Sequence, residues 1–147
     1  MLRKFSLALV LPALLLAGLV WAAGNYGTSA EAKALLEKVV ADMKKDPAKT
    51  LEMINKGSFN DRDLYPFCGG PDGKFTAHPK LLGQSMKDLK DKTGKPIGEE
   101  FYKVAQEGKI GEVSYLWPRP GETELVHKVA YVTKVGDQVC GVGYYQQ

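Results

Sequence analysis

The feature that most constrains the fold is a β-rich stretch near the C-terminal end of the chain, residues 111–145. Val113, Tyr115 and Trp117 alternate along its first part, so they share one face of a strand. Prolines follow Trp117 and end the strand, because proline has no N–H for the ladder. Turns that contain glycine then separate two more β-rich runs, at residues 126–135 and 139–145. The stretch predicts an antiparallel three-stranded meander onto which the earlier segments must fold.

The first 23 residues have the three-part layout of a secretory signal. Arg3 and Lys4 are followed by an apolar run at residues 5–20 and then by Ala22 and Ala23, small residues suited to cleavage. The run is shorter than the roughly 20 residues that a membrane-spanning helix needs. We therefore predict a signal peptide at residues 1–23 and an exported, periplasmic domain at residues 24–147. An uncleaved N-terminal membrane anchor is the less favoured alternative.

Helices and a hairpin are predicted between the signal and the meander. Thr28 and Glu31 stand at capping-box spacing before an apolar stripe at residues 35–43, so a long helix begins the domain. Asp46 and Pro47 suit the N-cap and first residue of a second, shorter helix. A tight turn at residues 71–73 lies between two short extended runs and predicts a β-hairpin.

A mixed helical insert is predicted at residues 80–108, between the hairpin and the meander. Leu82, Met86 and Leu89 have helical spacing. A later helix that ends at Gly108 carries three apolar residues: Phe101, Val104 and Ala105. The order of helix, two strands, insert and three strands indicates an α+β domain with one five-stranded antiparallel sheet.

Composition and motifs exclude several classes of function. Loss of Arg3 and Lys4 with the signal lowers the net charge from +3 to about +1, and the remaining basic residues are scattered among acids, so no nucleic-acid partner is expected. No serine has the surroundings of a catalytic nucleophile, and no phosphate loop or dinucleotide motif is present. We expect no enzyme activity and no cofactor; an unrecognised hydrolase is the remote alternative. The two histidines and the cysteine spacing do not suggest a metal site.

Seven motifs in order carry a resemblance to a known family. They are DLYPF at 63–67, DGKFTAHP at 72–79, LGQSMKDLKD at 82–91, GKP at 94–96, YLWPRP at 115–120, KVAYV at 128–132 and GVG at 141–143. In this succession the chain resembles the single Cache domain (type 2), the PAS-like extracytoplasmic ligand-sensing module of bacterial chemoreceptors and sensor kinases. The resemblance implies a long N-terminal helix packed on a five-stranded antiparallel sheet, with a ligand held between the sheet and the insert.

The resemblance also nominates ligand-binding residues. His78 matches a histidine that faces the family's ligand cavity, and Lys128 matches a lysine that anchors a carboxylate. Tyr115 and Trp117 share a strand face and could line a pocket wall. Each has an alternative interpretation without a ligand. His78 is then a structural histidine, Lys128 faces solvent, and Tyr115 and Trp117 are part of the apolar core. Tyr131 is a fifth candidate, but in an ideal strand it lies on the face opposite Lys128, so both contact one ligand only if the strand is bulged.

Cys68 and Cys140 are the only two cysteines of the chain. An exported protein meets an oxidising compartment, where an even count favours a disulfide; two buried free thiols are the alternative. In the PAS-like strand order that the resemblance implies, the first and last strands are neighbours, which would bring the two sulfurs together.

These observations predict an exported, non-enzymatic domain that binds a small organic ligand, one that bears a carboxylate. Because the chain ends two residues after Tyr145, we expect the domain to act in trans on a membrane receptor or transporter. The competing hypothesis is a structural or interaction protein of the same fold, with its cavity filled by side chains and no ligand.

Overall fold

The computed structural model describes residues 24–147, and the predicted signal segment lies outside them. These residues form three helices and five strands: α1 (Ser29–Lys45), α2 (Pro47–Asn55), β1 (Pro66–Gly69), β2 (Phe75–Ala77), α3 (Ile97–Val104), β3 (Gly111–Pro118), β4 (Leu125–Val135) and β5 (Gln138–Tyr145). The predicted α+β class and element order are confirmed. No helix in residues 24–147 is long and apolar enough to cross a membrane.

The two N-terminal helices begin where the sequence predicts. The Thr28 hydroxyl accepts a hydrogen bond from the Glu31 amide, and the Glu31 carboxylate accepts one from the Thr28 amide, so the capping box of α1 is complete. Asp46 ends α1 and caps α2 by accepting a bond from the Lys49 amide. Pro47 fits the first turn of α2, where its missing N–H has no intrahelical partner to lose.

All five strands belong to one antiparallel sheet with the order β2-β1-β5-β4-β3. The first and last strands are therefore neighbours, as the resemblance implied. Cys68 lies directly opposite Cys140 across β1 and β5, and the two form a disulfide. The pairing of β1 with β2 shifts register between Cys68 and Gly69, in keeping with the glycines that the sequence places at the end of β1.

The sheet separates two apolar cores. On one face α1 and α2 bury the cluster Ala32, Leu36, Val39, Met43, Ile54, Phe59, Leu64, Cys68, Ala77, Val135, Cys140 and Val142. On the other face the insert and α3 bury the cluster Phe67, Phe75, Met86, Ile97, Phe101, Val113, Tyr115, Ala130, Val132 and Val139. We call these the helix side and the insert side of the sheet.

The helical spacing of Leu82, Met86 and Leu89 was a misleading signal, because residues 79–90 form turns and no helix. The segment pairs with the hairpin instead: the amides of Gly83 and Met86 donate to the carbonyls of Phe75 and Gly73. Gly83 has a φ of +80°, which a helix does not allow, and Leu82 is 57% exposed. The second predicted helix exists as α3, but it ends at Val104 because Ala105 is extended.

Candidate functional site

A small cavity lies on the insert side of the sheet, between β3, β4 and the covering insert. It has a volume of about 10 Å³, and we call it the inner cavity; it is lined by Tyr65, Phe67, Phe75, His78, Leu81, Leu89, Ile97, Phe101, Tyr115, Trp117 and Lys128. Four of the five residues proposed from the sequence are in this set, brought together from β3, β4 and the end of the hairpin. The space is about what one water molecule requires.

Lys128 is the charged group of the inner cavity. The sequence left open whether it faces solvent, and the structure places it inside, with 1% of the residue exposed. Its ammonium donates to the phenol oxygens of Tyr65, at 2.8 Å, and Tyr145, at 3.3 Å. The same nitrogen lies 4.0 Å from the centre of the Tyr65 ring and 4.7 Å from that of Tyr145, within cation–π range.

The ammonium of Lys128 has no carboxylate partner. Among residues 24–147, none of the six ion pairs within 4.0 Å involves Lys128. A buried cation ordinarily needs an anion, and phenol oxygens and ring faces compensate its lost hydration only in part. Burial alone would raise the pKa of the Tyr65 phenol, but the neighbouring ammonium outweighs burial and lowers that pKa below its ordinary value. The site therefore concentrates positive potential in an apolar enclosure.

His78 lies beside Lys128 as a neutral hydrogen-bond donor. Its Nδ1 accepts bonds from the backbone amides of Lys80, at 2.9 Å, and Leu81, at 3.1 Å, so the proton of the neutral ring is on Nε2. Burial lowers the pKa of His78 to about 4, and the charges of Lys128 and Lys80 act in the same direction. The imidazole thus stays uncharged near neutral pH. Nδ1 is engaged by the backbone turn, and the Nε2–H group remains available to donate a hydrogen bond.

The aromatic wall of the cavity comes from β3 and α3. The Tyr115 ring lies 5.7 Å from Phe101 and 6.0 Å from Trp117 between centroids, both in edge-to-face arrangements. Burial raises the pKa of Tyr115 well above its ordinary value. Its hydroxyl consequently remains protonated and able to donate a hydrogen bond.

Tyr131 does not lie with the other four residues. The pairing of β4 with β5 is continuous from Lys128 to Val135, so no bulge turns Tyr131 toward the cavity. It lies on the helix side, where its hydroxyl is 2.6 Å from that of Ser29 and its ring stacks on Tyr144. Tyr131 ties α1 to the sheet.

Sequence analysis missed two residues that hold the ammonium, Tyr65 and Tyr145. Tyr145 is the direct cross-strand partner of Lys128, and it also donates a hydrogen bond to the Pro118 carbonyl. A signal for Tyr145 was present, because it continues the period-two face of Gly141 and Gly143. Tyr65 belongs to the DLYPF motif, but sequence analysis assigned it no role; it precedes β1 and reaches Lys128 through the tertiary fold.

A larger depression adjoins the inner cavity, and we call it the outer cleft. It has a volume of about 480 Å³ and is lined by Asn60, Tyr65, His78, Pro79, Lys80, Leu81, Trp117, Pro118, Arg119, Pro120, Gly121 and Glu122. Tyr65, His78, Leu81 and Trp117 line both spaces and so form the boundary between them. A ligand that reaches Lys128 from solvent passes these four side chains.

Asp91, also missed by the sequence, fixes the insert over the site. One carboxylate oxygen accepts bonds from the Thr93 amide, the Thr93 hydroxyl and the Lys95 amide, and the other accepts from the Leu116 amide on β3. Burial opposes these bonds but they outweigh it, and the pKa of Asp91 falls to about 2. The carboxyl group of Asp91 therefore stays ionised near neutral pH, and it anchors the insert to β3.

A five-stranded antiparallel sheet with a long helix on one face and an insert-covered cavity on the other defines a PAS-like ligand-sensing domain. The family model of the Cache domain matches residues 26–146, nearly all of the described chain. The chain belongs to the Cache domain family.

Proteins with detectable similarity to the chain include chemotaxis proteins. The methyl-accepting chemotaxis protein McpP of Pseudomonas putida KT2440 is 34% identical over 71 residues, which are 47% of this chain and 13% of McpP. The chain thus spans only a small part of that curated relative's length. A methyl-accepting chemotaxis protein from Vibrio parahaemolyticus is 26% identical, with a TM-score of 0.61 over 79% of this chain and 86% of the other.

Two further solved structures share the fold. The periplasmic sensor domain of a chemotaxis protein is 26% identical, with a TM-score of 0.60 over 78% of this chain and 88% of the other. A Cache chemosensory domain studied for carboxylic acid recognition is 24% identical, with a TM-score of 0.60 over 78% and 86%. At that level of identity the second likeness concerns the fold alone.

Proposed function

We propose that this chain is an exported sensor domain that binds a small metabolite bearing a carboxylate. The observation that carries the proposal is the Lys128 ammonium, which is buried against the inner cavity without a carboxylate partner in residues 24–147. Removing an ammonium from water costs several kcal/mol unless an anion pairs with it. A ligand carboxylate in the inner cavity would supply that anion.

The groups around Lys128 suit a carboxylate. The Tyr65 phenol, which already accepts from Lys128, has its own hydrogen to donate. The Nε2–H of His78 and the hydroxyl of Tyr115 add two neutral donors on the lining of the same cavity. A carboxylate accepts several hydrogen bonds at once, and bonds from charged donors are the strongest of these.

A ligand-free structural role is the alternative, and the small volume of the inner cavity favours it in one respect. Side chains nearly fill the space near Lys128. A core built only for stability, however, gains nothing from an unpaired ammonium, since an apolar residue of the same size would avoid its desolvation cost. The volume instead suits one carboxylate oxygen of a ligand whose remainder lies in the outer cleft.

The residues that line the inner cavity do not favour a hydrolase. None of the eleven described residues around the inner cavity is serine, threonine, cysteine, aspartate or glutamate. The cavity therefore offers no serine, threonine or cysteine nucleophile, and His78 has its Nδ1 engaged by the backbone. We propose a binding function without catalysis.

Export and signal transfer are further parts of the proposal. The layout of residues 1–23 supports secretion to the periplasm, where the disulfide between Cys68 and Cys140 is stable. We infer that the ligand-bound domain acts on a membrane receptor or transporter, in trans. The chemotaxis proteins to which the chain is similar make a receptor the first partner to test.

A thermal-shift screen of the exported protein tests the proposal. The panel contains short carboxylic acids and, as matched controls, the amides of the same acids, which keep the shape and lose the charge. We expect acids to raise the melting temperature and amides to leave it unchanged. A ligand at 100 times its Kd adds about 2.7 kcal/mol of stability. Equal shifts for acids and amides, or no shift for any acid, would remove the support for a carboxylate sensor.

A further inference from the structure

Arg119 is a second cation at the site, and it lies in the outer cleft immediately after β3. Its guanidinium carbon is 4.1 Å from the centre of the Tyr26 ring and 5.3 Å from that of Tyr145. The Nε atom lies 3.3 Å from a carboxylate oxygen of Asp63, and 12% of the side chain is exposed. Two aromatic rings and one carboxylate hold the guanidinium in place, so it loses little freedom on binding an anion.

Most hydrogen-bond donors of this guanidinium have no acceptor. Arginine carries five N–H groups, and among residues 24–147 only Nε of Arg119 has a partner, Asp63. The other carboxylate oxygen of Asp63 accepts from the Gly27 amide and makes no bond to Arg119. Both terminal nitrogens of Arg119 remain available for a bidentate contact with a carboxylate.

Tyr145 sets an upper limit on the distance between Arg119 and Lys128. The Lys128 nitrogen is 4.7 Å and the Arg119 guanidinium carbon 5.3 Å from the centre of the same ring. The two cations are therefore no more than about 10 Å apart. With each cation roughly 3–4 Å from its bound oxygen, a few ångströms remain between the two anionic groups. A spacer of one to three carbons covers that gap.

The inner cavity is too small for the carbon chain of a ligand as well as its carboxylate. At about 10 Å³ it has room for one water-sized group, such as a single carboxylate oxygen in contact with Lys128. The remainder of the ligand must extend past Leu81 and Trp117 into the outer cleft, which Arg119 lines. The other charged residues of the cleft are Lys80 and Glu122, both exposed, so the lining carries one net positive charge, and Asp63 pairs with Arg119 from outside the lining.

We infer that Arg119 forms a second anion subsite, and that the ligand is a short dicarboxylate with one acidic group on Lys128 and the other on Arg119. The inference rests on the proposed carboxylate-binding function and narrows its ligand class. Binding would place the second carboxylate against the terminal nitrogens of Arg119 while Asp63 keeps Nε.

Calorimetry with matched acids tests this subsite in the exported protein. Three pairs have equal chain length and differ by one carboxylate: propionate and malonate, butyrate and succinate, valerate and glutarate. We expect the diacid of at least one pair to bind 10-fold or more tightly than its monoacid, since a bidentate contact between charged groups is added. In Arg119→Gln that preference should vanish, so that the diacid and the monoacid of each pair bind this variant with about equal affinity.

The variant Arg119→Lys shows whether a loss of diacid binding comes from the lost contact or from a misfolded protein. Lysine keeps a positive charge beside Asp63 but lacks the two-pronged arrangement, so the diacid preference should fall several-fold while the melting temperature of the free protein is maintained. If monoacids bind and no diacid binds better, or if the preference survives in both Arg119 variants, the second subsite is wrong and the proposed function stands. If neither member of any pair binds the wild-type protein, the proposed carboxylate-binding function itself is overturned, and the subsite with it.

Discussion

Gly143 on β5 gives the buried side chain of Lys128 its space. A Cβ atom at position 143 would lie 2.3 Å from Cε of Lys128 and 3.2 Å from Cγ and Cδ, well inside normal contact distances. The absence of a side chain on β5 thus allows the lysine stem to lie flat along the sheet toward Tyr65 and Tyr145. The position of the cation depends on a glycine that makes no polar contact with it.

Gly143→Ala should therefore displace Lys128. We expect a loss of about 1–3 kcal/mol in the free energy of unfolding, because the added methyl group overpacks a buried strand contact. Affinity for any carboxylate that shifts the melting temperature should fall with it. Gly24→Ala is the control, since a Cβ there meets only a carbonyl oxygen at 3.8 Å. Urea unfolding and calorimetry of both variants make the comparison; equal stability and affinity in Gly143→Ala would show that the glycine is dispensable.

The disulfide should make a large contribution to stability. It joins residues 72 apart in the sequence, and in the chain-entropy estimate a loop of that length contributes about 4 kcal/mol. The double variant Cys68→Ala/Cys140→Ala should lose about that much free energy of unfolding, and reducing agent should then have no further effect on it. Thiol titration of the denatured, non-reduced protein checks the bond itself. Two reactive thiols per chain would contradict it.

His78 should make stability depend on pH between 6.5 and 5, above the range in which most carboxylates titrate. The unfolded chain takes up a proton on this histidine near pH 6.5, and the folded chain only near pH 4. Between pH 6.5 and 4 the unfolded state therefore binds more protons than the folded state. The contribution of His78 to the free energy of unfolding is complete above pH 6.5 and decreases as pH falls toward 4. The loss should reach about 2 kcal/mol at pH 5.

His78→Gln should flatten this pH dependence between 6.5 and 5. His127→Gln is the matched control, because His127 is exposed on β4 and its side chain makes no contact in the site. Denaturant titrations at half-unit pH intervals give the two slopes. If wild type and His78→Gln lose stability in parallel over this range, the imidazole is not held neutral by the fold.

Asp91 should be essential to the position of the insert. Asp91→Ala leaves three backbone N–H groups without their acceptor, which should cost about 2–4 kcal/mol of unfolding free energy. Because its pKa is lowered, the contribution of Asp91 is present above pH 3.8 and is lost as pH falls toward 2. Asp88→Ala, in the exposed part of the same insert, should change stability by about 0.5 kcal/mol or less. Hydrogen exchange at the Leu116 amide reports the anchor directly, and unchanged protection in Asp91→Ala would refute it.

The sequence was informative wherever a local pattern set the structure. Capping residues predicted the starts of α1 and α2, and alternation along β3 put Tyr115 and Trp117 on one face. The insert was misjudged because Leu82 and Met86 have helical spacing, while Gly83 and long-range backbone bonds to the hairpin decide the actual path. Tyr65, Arg119 and Asp91 escaped notice for a related reason, since each acts through partners distant in sequence.

The strand period predicted the two faces of β4 correctly. Alternation alone puts Tyr131 on the side opposite Lys128, and it lies there against Ser29. Placing it in the site required a bulge, and no irregularity interrupts that part of β4.

The most direct test of the account is calorimetric titration of Lys128→Met with the acid that gives the largest thermal shift on wild-type protein. Methionine matches the length of the lysine stem, so the fold should remain while the buried charge is lost. We predict at least a ~30-fold loss of affinity, as expected when a desolvated charged hydrogen bond is removed. Lys134→Met, on the exposed part of the same strand, should bind as wild type does. Wild-type affinity in a folded Lys128→Met protein would contradict the role of this lysine as the carboxylate anchor.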